Sequence, residues 1–281
     1  MSNDAWIWKP AQEWIASTNV YRLMQRLEFH TLEEFLLFSR ESPERFWHEL
    51  ATEMGIEWFE PYAKVLDDSE GAPWCRWFVN GKLNVAWNCL DRHALGAKAN
   101  HLAVLFESED GDVRSLTYAE LYDRVNRLAN GLKGLGLTKG DRVAMCMPMV
   151  PEVIVILYAC LRLGLIVVPI FSGFGPGAIA TRLEDSGARV VFTVEEITRR
   201  GKRLPLREKV EEASAKCRSI KRVVVWPDHA LLSDPTEAPS LHLDSEDYAL
   251  ILYTSGTTGR PKGAVHTPIS VALLSRQTRS S

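Results

Sequence analysis

Residues 249–263, ALILYTSGTTGRPKG, decide how this chain is read. The first five residues are apolar enough for a buried strand. The next six, Thr254, Ser255, Gly256, Thr257, Thr258 and Gly259, are small and mostly hydroxyl-bearing. A buried strand that empties into such a loop delivers backbone N–H groups and hydroxyls to the carboxyl edge of a sheet, where open α/β sheets bind ligands. Glycines permit close approach of a phosphate, and Lys262 supplies a cation. The loop is not a Walker A sequence, because Lys262 follows Pro261 and precedes Gly263 with no G-K-[ST] triplet. The same composition also suits a flexible linker, but a linker needs neither the strand before it nor a lone lysine at a set offset.

Working back toward the N-terminus, strand and helix patterns alternate, as in a parallel sheet with helices on its faces. Residues 222–226, 189–193, 165–170 and 143–147 read as strands, and residues 103–106 as another. Residues 117–120 (TYAE) form a capping box opening a helix whose Leu121, Val125, Leu128 and Leu132 share one face. Pro151 suits a first helical turn and Gly164 a C-terminal cap. A helix over residues 178–186 stops at Gly187. Residues 227–239 are polar and proline-bearing, which suits a surface connection and a seam between two sheet subdomains. The expected division is residues 1–95 as an extension and 96–281 as a partial α/β domain. Its first part runs to about residue 240 and its second starts near 245.

Residues 1–87 hold eight of the nine tryptophans in a mostly helical pattern, expected as a packing layer. Residues 31–38 (TLEEFLLF) open with their own capping box.

The bulk numbers exclude several classes. A length of 281 residues with 46% hydrophobic and 25% charged side chains is that of an ordinary globular chain, and a net charge of -3 leaves no overall footprint for nucleic acid or an anionic membrane. Any anion site must be local. Five cysteines lack C-x-x-C spacing, so reduced thiols are expected, with Cys89 and Cys146 as small buried apolar residues. The start, MSNDAWIWKP, has no signal-peptide pattern, giving a cytoplasmic expectation. Residues 153–171 are apolar for nearly the length of a membrane span, but Arg162, Gly164 and Pro169 interrupt them, and a buried helix followed by a buried strand accounts for the run.

The loop at residues 253–263 (YTSGTTGRPKG) resembles the phosphate-loop signature of the adenylate-forming superfamily. Three further stretches are similar to acetyl-CoA synthetase and its short-chain acyl relatives: residues 82–93 (KLNVAWNCLDRH); 148–184, with PMVPE, VVPIFSGFGP and the helix ATRLED, whose last residue is Asp185; and 193–206 (TVEEITRRGKRLPL). The tryptophan-rich start also resembles the extension of those enzymes. The fold implied is the adenylate-forming N-terminal domain: α/β, with a parallel sheet, helices on both faces and a mostly helical extension in front.

The activity implied is ATP-dependent formation of an acyl-adenylate and pyrophosphate, followed by displacement of AMP by the thiol of coenzyme A, with acetate or another short-chain carboxylate as substrate and Mg2+ as counter-ion. By the resemblance, Thr254, Ser255, Gly256, Thr257, Thr258, Gly259 and Lys262 hold the ATP phosphates. In the CoA-binding turn of Arg199, Arg200, Gly201 and Lys202, Arg199 and Lys202 hold the phosphate-bearing end of CoA, with Phe171, Ser172 and Gly173 alongside. Arg200 and Lys202 stand where the family often has other residues.

No general base is expected, because the substrate is already an anion, so His93 and His266 are read as satisfying local hydrogen bonds. Glu152 and Asp185 are read as helix residues facing solvent or capping charge. The resemblance puts the acyl pocket, the adenine-binding segment, the magnesium-binding glutamate, the ribose-binding aspartate and the domain with the catalytic lysine beyond Ser281. The expectation is therefore of a truncated or frame-shifted chain without catalytic residues of its own. The alternatives are a non-catalytic nucleotide- or CoA-binding module and an adenylation domain that loads a carrier protein. Oligomeric state is not legible.

Overall fold

The computed structural model describes residue 8, residues 10–232, 234, 236–254 and 259–277, the last three by backbone alone. Its centre is a six-stranded sheet. In chain order the elements are α1 (Tyr118–Gly134), β1 (Arg142–Met145), α2 (Pro151–Arg162), β2 (Ile166–Pro169), α3 (Pro176–Ser186), β3 (Val190–Val194), α4 (Arg207–Ser214), β4 (Arg222–Trp226), β5 (Leu250–Thr254), β6 (Lys262–His266) and α5 (Pro268–Gln277). Their order across the sheet is β4-β3-β1-β2-β5-β6, parallel except for β6, which runs antiparallel to β5. β5 meets β2 at one register pair, Leu250 with Val167.

Strand alternation divides the core. Val143, Met145, Val167, Phe192 and Val224 pack with α1 and α2 on one face, and Ala144, Val168 and Val191 with α3 and α4 on the other. Both faces are dry, which is why these strands read as continuous apolar runs rather than alternating ones. The α1 capping box forms as the spacing predicts: Glu120 N–H donates to Thr117 Oγ1 at 3.2 Å and Thr117 N–H to Glu120 Oε2 at 2.7 Å. Leu121, Val125, Leu128 and Leu132 are buried together.

The strand near residues 103–106 does not belong to this sheet. Leu102–Glu107 pairs antiparallel with Val113–Thr117 as a separate hairpin. Its turn, with Gly111 at φ 81°, is too short for the crossover that a parallel partner requires.

The longer helices of the first part of the chain end at Glu53 (Gln12–Ser17, Asn19–Arg26, Leu32–Glu41 and Pro43–Glu53), and only short helical turns follow, at Ala72–Trp74, Trp87–Asp91 and Arg92–Ala94. An antiparallel pair, Lys64–Asp67 with Arg76–Val79, follows. The tryptophans divide. Trp47, Trp58 and Trp77 pack on a core of Ala51, Ile56, Phe78 and Leu83. Trp8, Trp14 and Trp74 are exposed instead. That core is closed from the other end of the chain by Ile269, Ala272 and Leu273 of α5.

Residues 82–93 rivet this layer to the sheet domain. Asn84 Nδ2 donates to the carbonyls of Leu161, Arg162 and Leu241, and Asn88 exchanges two hydrogen bonds with the Glu57 backbone. Asp91 accepts from the buried Arg162 guanidinium, which also donates to Asn126 and lies 5.0 Å from the centre of the Tyr122 ring. The connection at 227–239 is less superficial than its composition suggests. Leu231 and Ala238 are buried against α1, and Ala238 N–H donates to Asn126 Oδ1 at 3.0 Å. Among the described residues no helix is long and apolar enough to cross a membrane; the apolar run at 153–171 is α2 followed by β2.

Candidate functional site

Five parallel strands send their carboxyl ends to one edge of the sheet, so topology alone brings three connections together there. These are the loop 170–175 after β2, the segment after β3 and the segment after β5. The last contains Ser255, Gly256, Thr257 and Thr258, which lie outside the described residues. Its two ends are described. Thr254 closes β5, and Lys262 pairs with it in register at the start of β6, with Gly259 between them at φ 84°. Lys262 is therefore fixed at its backbone by a strand ladder while its side chain is exposed. The sequence shows a lysine at an offset; it does not reveal the strand that anchors it.

The segment after β3 is a hairpin, Glu196–Arg199 paired antiparallel with Lys202–Pro205. Arg200 and Gly201 form its two-residue turn, with φ values of 52° and 69°. Two successive left-handed residues make the turn whose twist matches the flanking strands. Arg199 and Lys202 are register partners, so both cations leave the same face at the mouth of the hairpin. Arg203 is neutralised by Glu196 at 2.9 Å. Among the described residues no ion pair involves Arg199, Arg200 or Lys202, which leaves three unneutralised cations at one tip.

The loop after β2 meets that tip. The Arg199 guanidinium lies 5.1 Å from the centre of the exposed Phe171 ring. A cation over an aromatic face is held by the ring quadrupole. Gly173 lies against both partners: a Cβ there would stand 2.4 Å from Arg199 Nη1 and 2.4 Å from Phe171 Cε1. Glycine is required for this contact. Arg199, Phe171 and Gly173, expected together, are together; Ser172 lies half-buried between the last two, and Lys202 is exposed beside Arg199.

Two residues to which sequence reasoning gave no role of their own, Arg182 on α3 and Tyr253 on β5, meet at this edge of the sheet. Arg182, buried on α3, places its guanidinium 4.2 Å from the Phe174 ring centre and 5.7 Å from that of Tyr253, and donates to the Ala178 carbonyl at 2.8 Å. Tyr253 donates from its hydroxyl to Asp185 Oδ2 at 2.6 Å. Burial first, and then that carboxylate, push the Tyr253 phenol well above its usual range. Asp185 is thus exposed but engaged with β5, beyond the solvent or capping role expected of it. The available signal was the Arg-x-x-Asp spacing, which puts both side chains on one face of α3.

Glu152 departs from expectation. It is half-buried and paired with Arg114 at 3.0 Å, reaching across to the separate hairpin. His266 ends β6 at the opposite end from Lys262, and His93 lies 5.2 Å from the Tyr118 ring. Cys146 is buried, and burial pushes its thiol up to about 12. Cys89 is only half-buried. Among the described residues no group of three His, Cys, Asp or Glu could hold a metal ion.

Residues 90–277 match the family model described as AMP-binding enzyme, and residues 32–89 that described as acetyl-coenzyme A synthetase N-terminus. An acetyl-coenzyme A synthetase of Chromobacterium violaceum is 46% identical over an alignment covering 81% of this chain and 37% of the relative. One from Methanothrix thermoacetophila is 39% identical, covering 90% and 41%. The chain therefore spans about two fifths of the length of these relatives. In fold it is similar to an acetoacetyl-CoA synthetase from Streptomyces lividans, with a TM-score of 0.86, 24% identity, and coverage of 96% of this chain and 44% of that one.

Proposed function

The chain belongs to the AMP-binding enzyme family, and from that premise we propose that it carries the phosphate-loop and CoA-binding part of an ATP-dependent acyl-CoA ligase. The carboxylate attacks the α-phosphorus of ATP, an acyl-adenylate forms and pyrophosphate leaves; the CoA thiol then attacks the acyl carbon and AMP departs. Acetate is the proposed acid, because the relatives matched over most of the chain are acetyl-coenzyme A synthetases.

In this scheme the loop 254–259 and Lys262 offset charge on the ATP phosphates and steady the departing pyrophosphate. Their contribution is electrostatic positioning. Magnesium would arrive with the nucleotide, and no step is routed through it; among the described residues no group of three His, Cys, Asp or Glu could hold it. The hairpin tip with Arg199, Arg200, Gly201 and Lys202 takes the phosphorylated ribose of CoA, and Phe171, Ser172 and Gly173 form the surface beside it. A cytoplasmic location belongs to the same proposal and fits five cysteines that form no disulfide.

One observation carries this reading: the unneutralised hairpin tip sits against Phe171 and Gly173 on the edge to which β5 delivers Thr254. It also favours a CoA ligase over an adenylation domain that loads a carrier protein, whose thiol donor has no 3′-phosphorylated adenosine for such a cationic tip to bind. The test is carboxylate-dependent ATP–pyrophosphate exchange and acyl-CoA formation, with acetate, propionate and butyrate compared. The protein used is a hybrid in which this chain replaces the matching segment of the Chromobacterium violaceum relative. Acetate-dependent exchange lost on Lys262→Ala, with thioester formation lost on Arg199→Ala, supports the proposal. Exchange that is indifferent to both substitutions contradicts it.

A further inference from the structure

Phe171 is 54% exposed, yet the Arg199 guanidinium lies 5.1 Å from its ring centre, so something other than burial must hold that ring in place. The loop 170–175 supplies part of the hold. Phe174 N–H donates to the Phe171 carbonyl at 3.1 Å, closing a turn, and the two rings meet edge-on at 5.4 Å and 88°. The Phe174 ring centre in turn lies 4.2 Å from the Arg182 guanidinium. Arg182 is 8% exposed, and among the described residues no carboxylate forms an ion pair with it. A desolvated guanidinium without a counter-ion is stabilised by the negative face of a ring, more strongly than at an exposed site. Arg182 is anchored to its own helix through the Ala178 carbonyl at 2.8 Å, and the Tyr253 ring flanks it at 5.7 Å. Arg182 is therefore the fixed end of this series of contacts, and Arg199 the exposed end.

We propose that Arg182 is a positioning residue for the CoA-binding hairpin: through Phe174 and then Phe171, it sets where Arg199 presents its guanidinium to the phosphate-bearing end of CoA. The assignment rests on the functional reading above, which takes the hairpin tip as the seat of that phosphate. Its physical basis is preorganisation. Arg199 is long and exposed, and ordering such a side chain on binding costs rotamer entropy. A ring already held in place beneath the guanidinium removes part of that cost before the ligand arrives. The series runs through the hairpin, the loop 170–175 and α3, so its effect falls on CoA. An arginine that served stability alone would act on CoA affinity independently of Arg199. A positioning arginine acts only while Arg199 is there to be positioned.

The experiment uses the full 281-residue chain, with CoA titrated calorimetrically into the wild type, Arg182→Met, Arg199→Ala and the double variant. Arg199→Ala is expected to weaken binding about tenfold, the scale of one charged hydrogen bond, and Arg182→Met about fivefold. The double variant should bind within about twofold of Arg199→Ala alone, whereas independent losses would multiply to about fiftyfold. Phe174→Leu fills the same half-buried space without a ring, and should reproduce both the loss and the non-additivity. It carries the test if Arg182→Met does not fold. Affinity equal to wild type in Arg182→Met and Phe174→Leu, or losses that multiply with that of Arg199→Ala, overturns this inference and leaves the functional reading standing. No binding by the wild type, or full affinity after Arg199→Ala, overturns both.

Discussion

Asp91 and Arg162 form an ion pair sealed from solvent, joining the segment after the N-terminal layer to the end of α2. Asn126 on α1 and Ser240 in the connection to β5 extend the pair: Arg162 also donates to Asn126, and Ser240 donates to Asp91 Oδ2 at 2.7 Å, while Arg162 Nε has no hydrogen-bond partner among the described residues. Four pieces of chain distant in sequence thus meet at one ion pair. Removing one partner of such a pair strands the other charge in the core, at a cost of about 3–5 kcal/mol. Arg162→Met and Asp91→Asn should each lower the denaturation midpoint sharply. The double change Arg162→Met with Asp91→Leu should recover part of the loss, because two apolar groups leave no orphaned charge. Equal destabilisation by single and double variants in urea melts would contradict this reading of the cluster.

Gly173→Ala tests the close approach of the loop 170–175 to Arg199. The added methyl collides with the far end of a flexible side chain and the rim of an exposed ring, so the fold should tolerate it while the guanidinium is displaced. Thermal melting should change little and CoA affinity should fall about tenfold, the scale of one lost charged hydrogen bond. An unchanged affinity would mean that Arg199 does not bind in its observed position.

Acid should act on the joint between β1 and β3. Burial of Asp141 works to raise its pKa, but the Thr138 N–H and the Arg189 guanidinium, at 2.6 Å, outweigh it, and the carboxyl is held below its ordinary value. A depressed folded-state pKa contributes stability that is present above the unfolded value of about 3.9 and is lost as pH falls through the folded value. The stability of the wild type should therefore drop below about pH 4 more steeply than that of Asp141→Asn. At neutral pH the variant should be the less stable of the two. Parallel acid limbs for the two proteins would sink the assignment.

Thiol reactivity gives a direct check on the packing. Burial raises Cys146, Cys160 and Cys217, whereas Cys75 and Cys89 are half-buried. The thiolate is the reactive form, so brief alkylation at pH 8 followed by peptide mass spectrometry should label Cys75 and Cys89 before any of the other three. Early labelling of Cys160 would show that the contact between α2 and the sheet is not the one described.

Strands buried on both faces were legible because nothing but a run of Val, Ile and Leu suits them, and α1 because capping box and apolar stripe agree. β6 was not. KGAVH has no apolar alternation, since β6 is an exposed edge held by its ladder with β5 rather than by burial. The hairpin at 196–205 read as a basic turn because its pairing is short and its outer face charged; Arg200-Gly201 was the available clue, a dipeptide at two left-handed positions. In the candidate site, the residue types around Arg199 were readable from their pattern. The role of Arg182 was not, because a buried arginine and an exposed one look alike until the rings that sandwich it are placed.

The most direct measurement is a calorimetric titration of CoA into this chain, compared with Arg199→Ala/Lys202→Ala and with Lys262→Ala. Saturable binding at one site, weakened at least tenfold by the hairpin double substitution and within about twofold of wild type for Lys262→Ala, is the expected result, since charged hydrogen bonds of about 1.5–3 kcal/mol are removed only in the first case. Binding that is absent in the wild type, or equally strong after both cations of the hairpin are removed, would contradict the assignment of this edge to a CoA ligase.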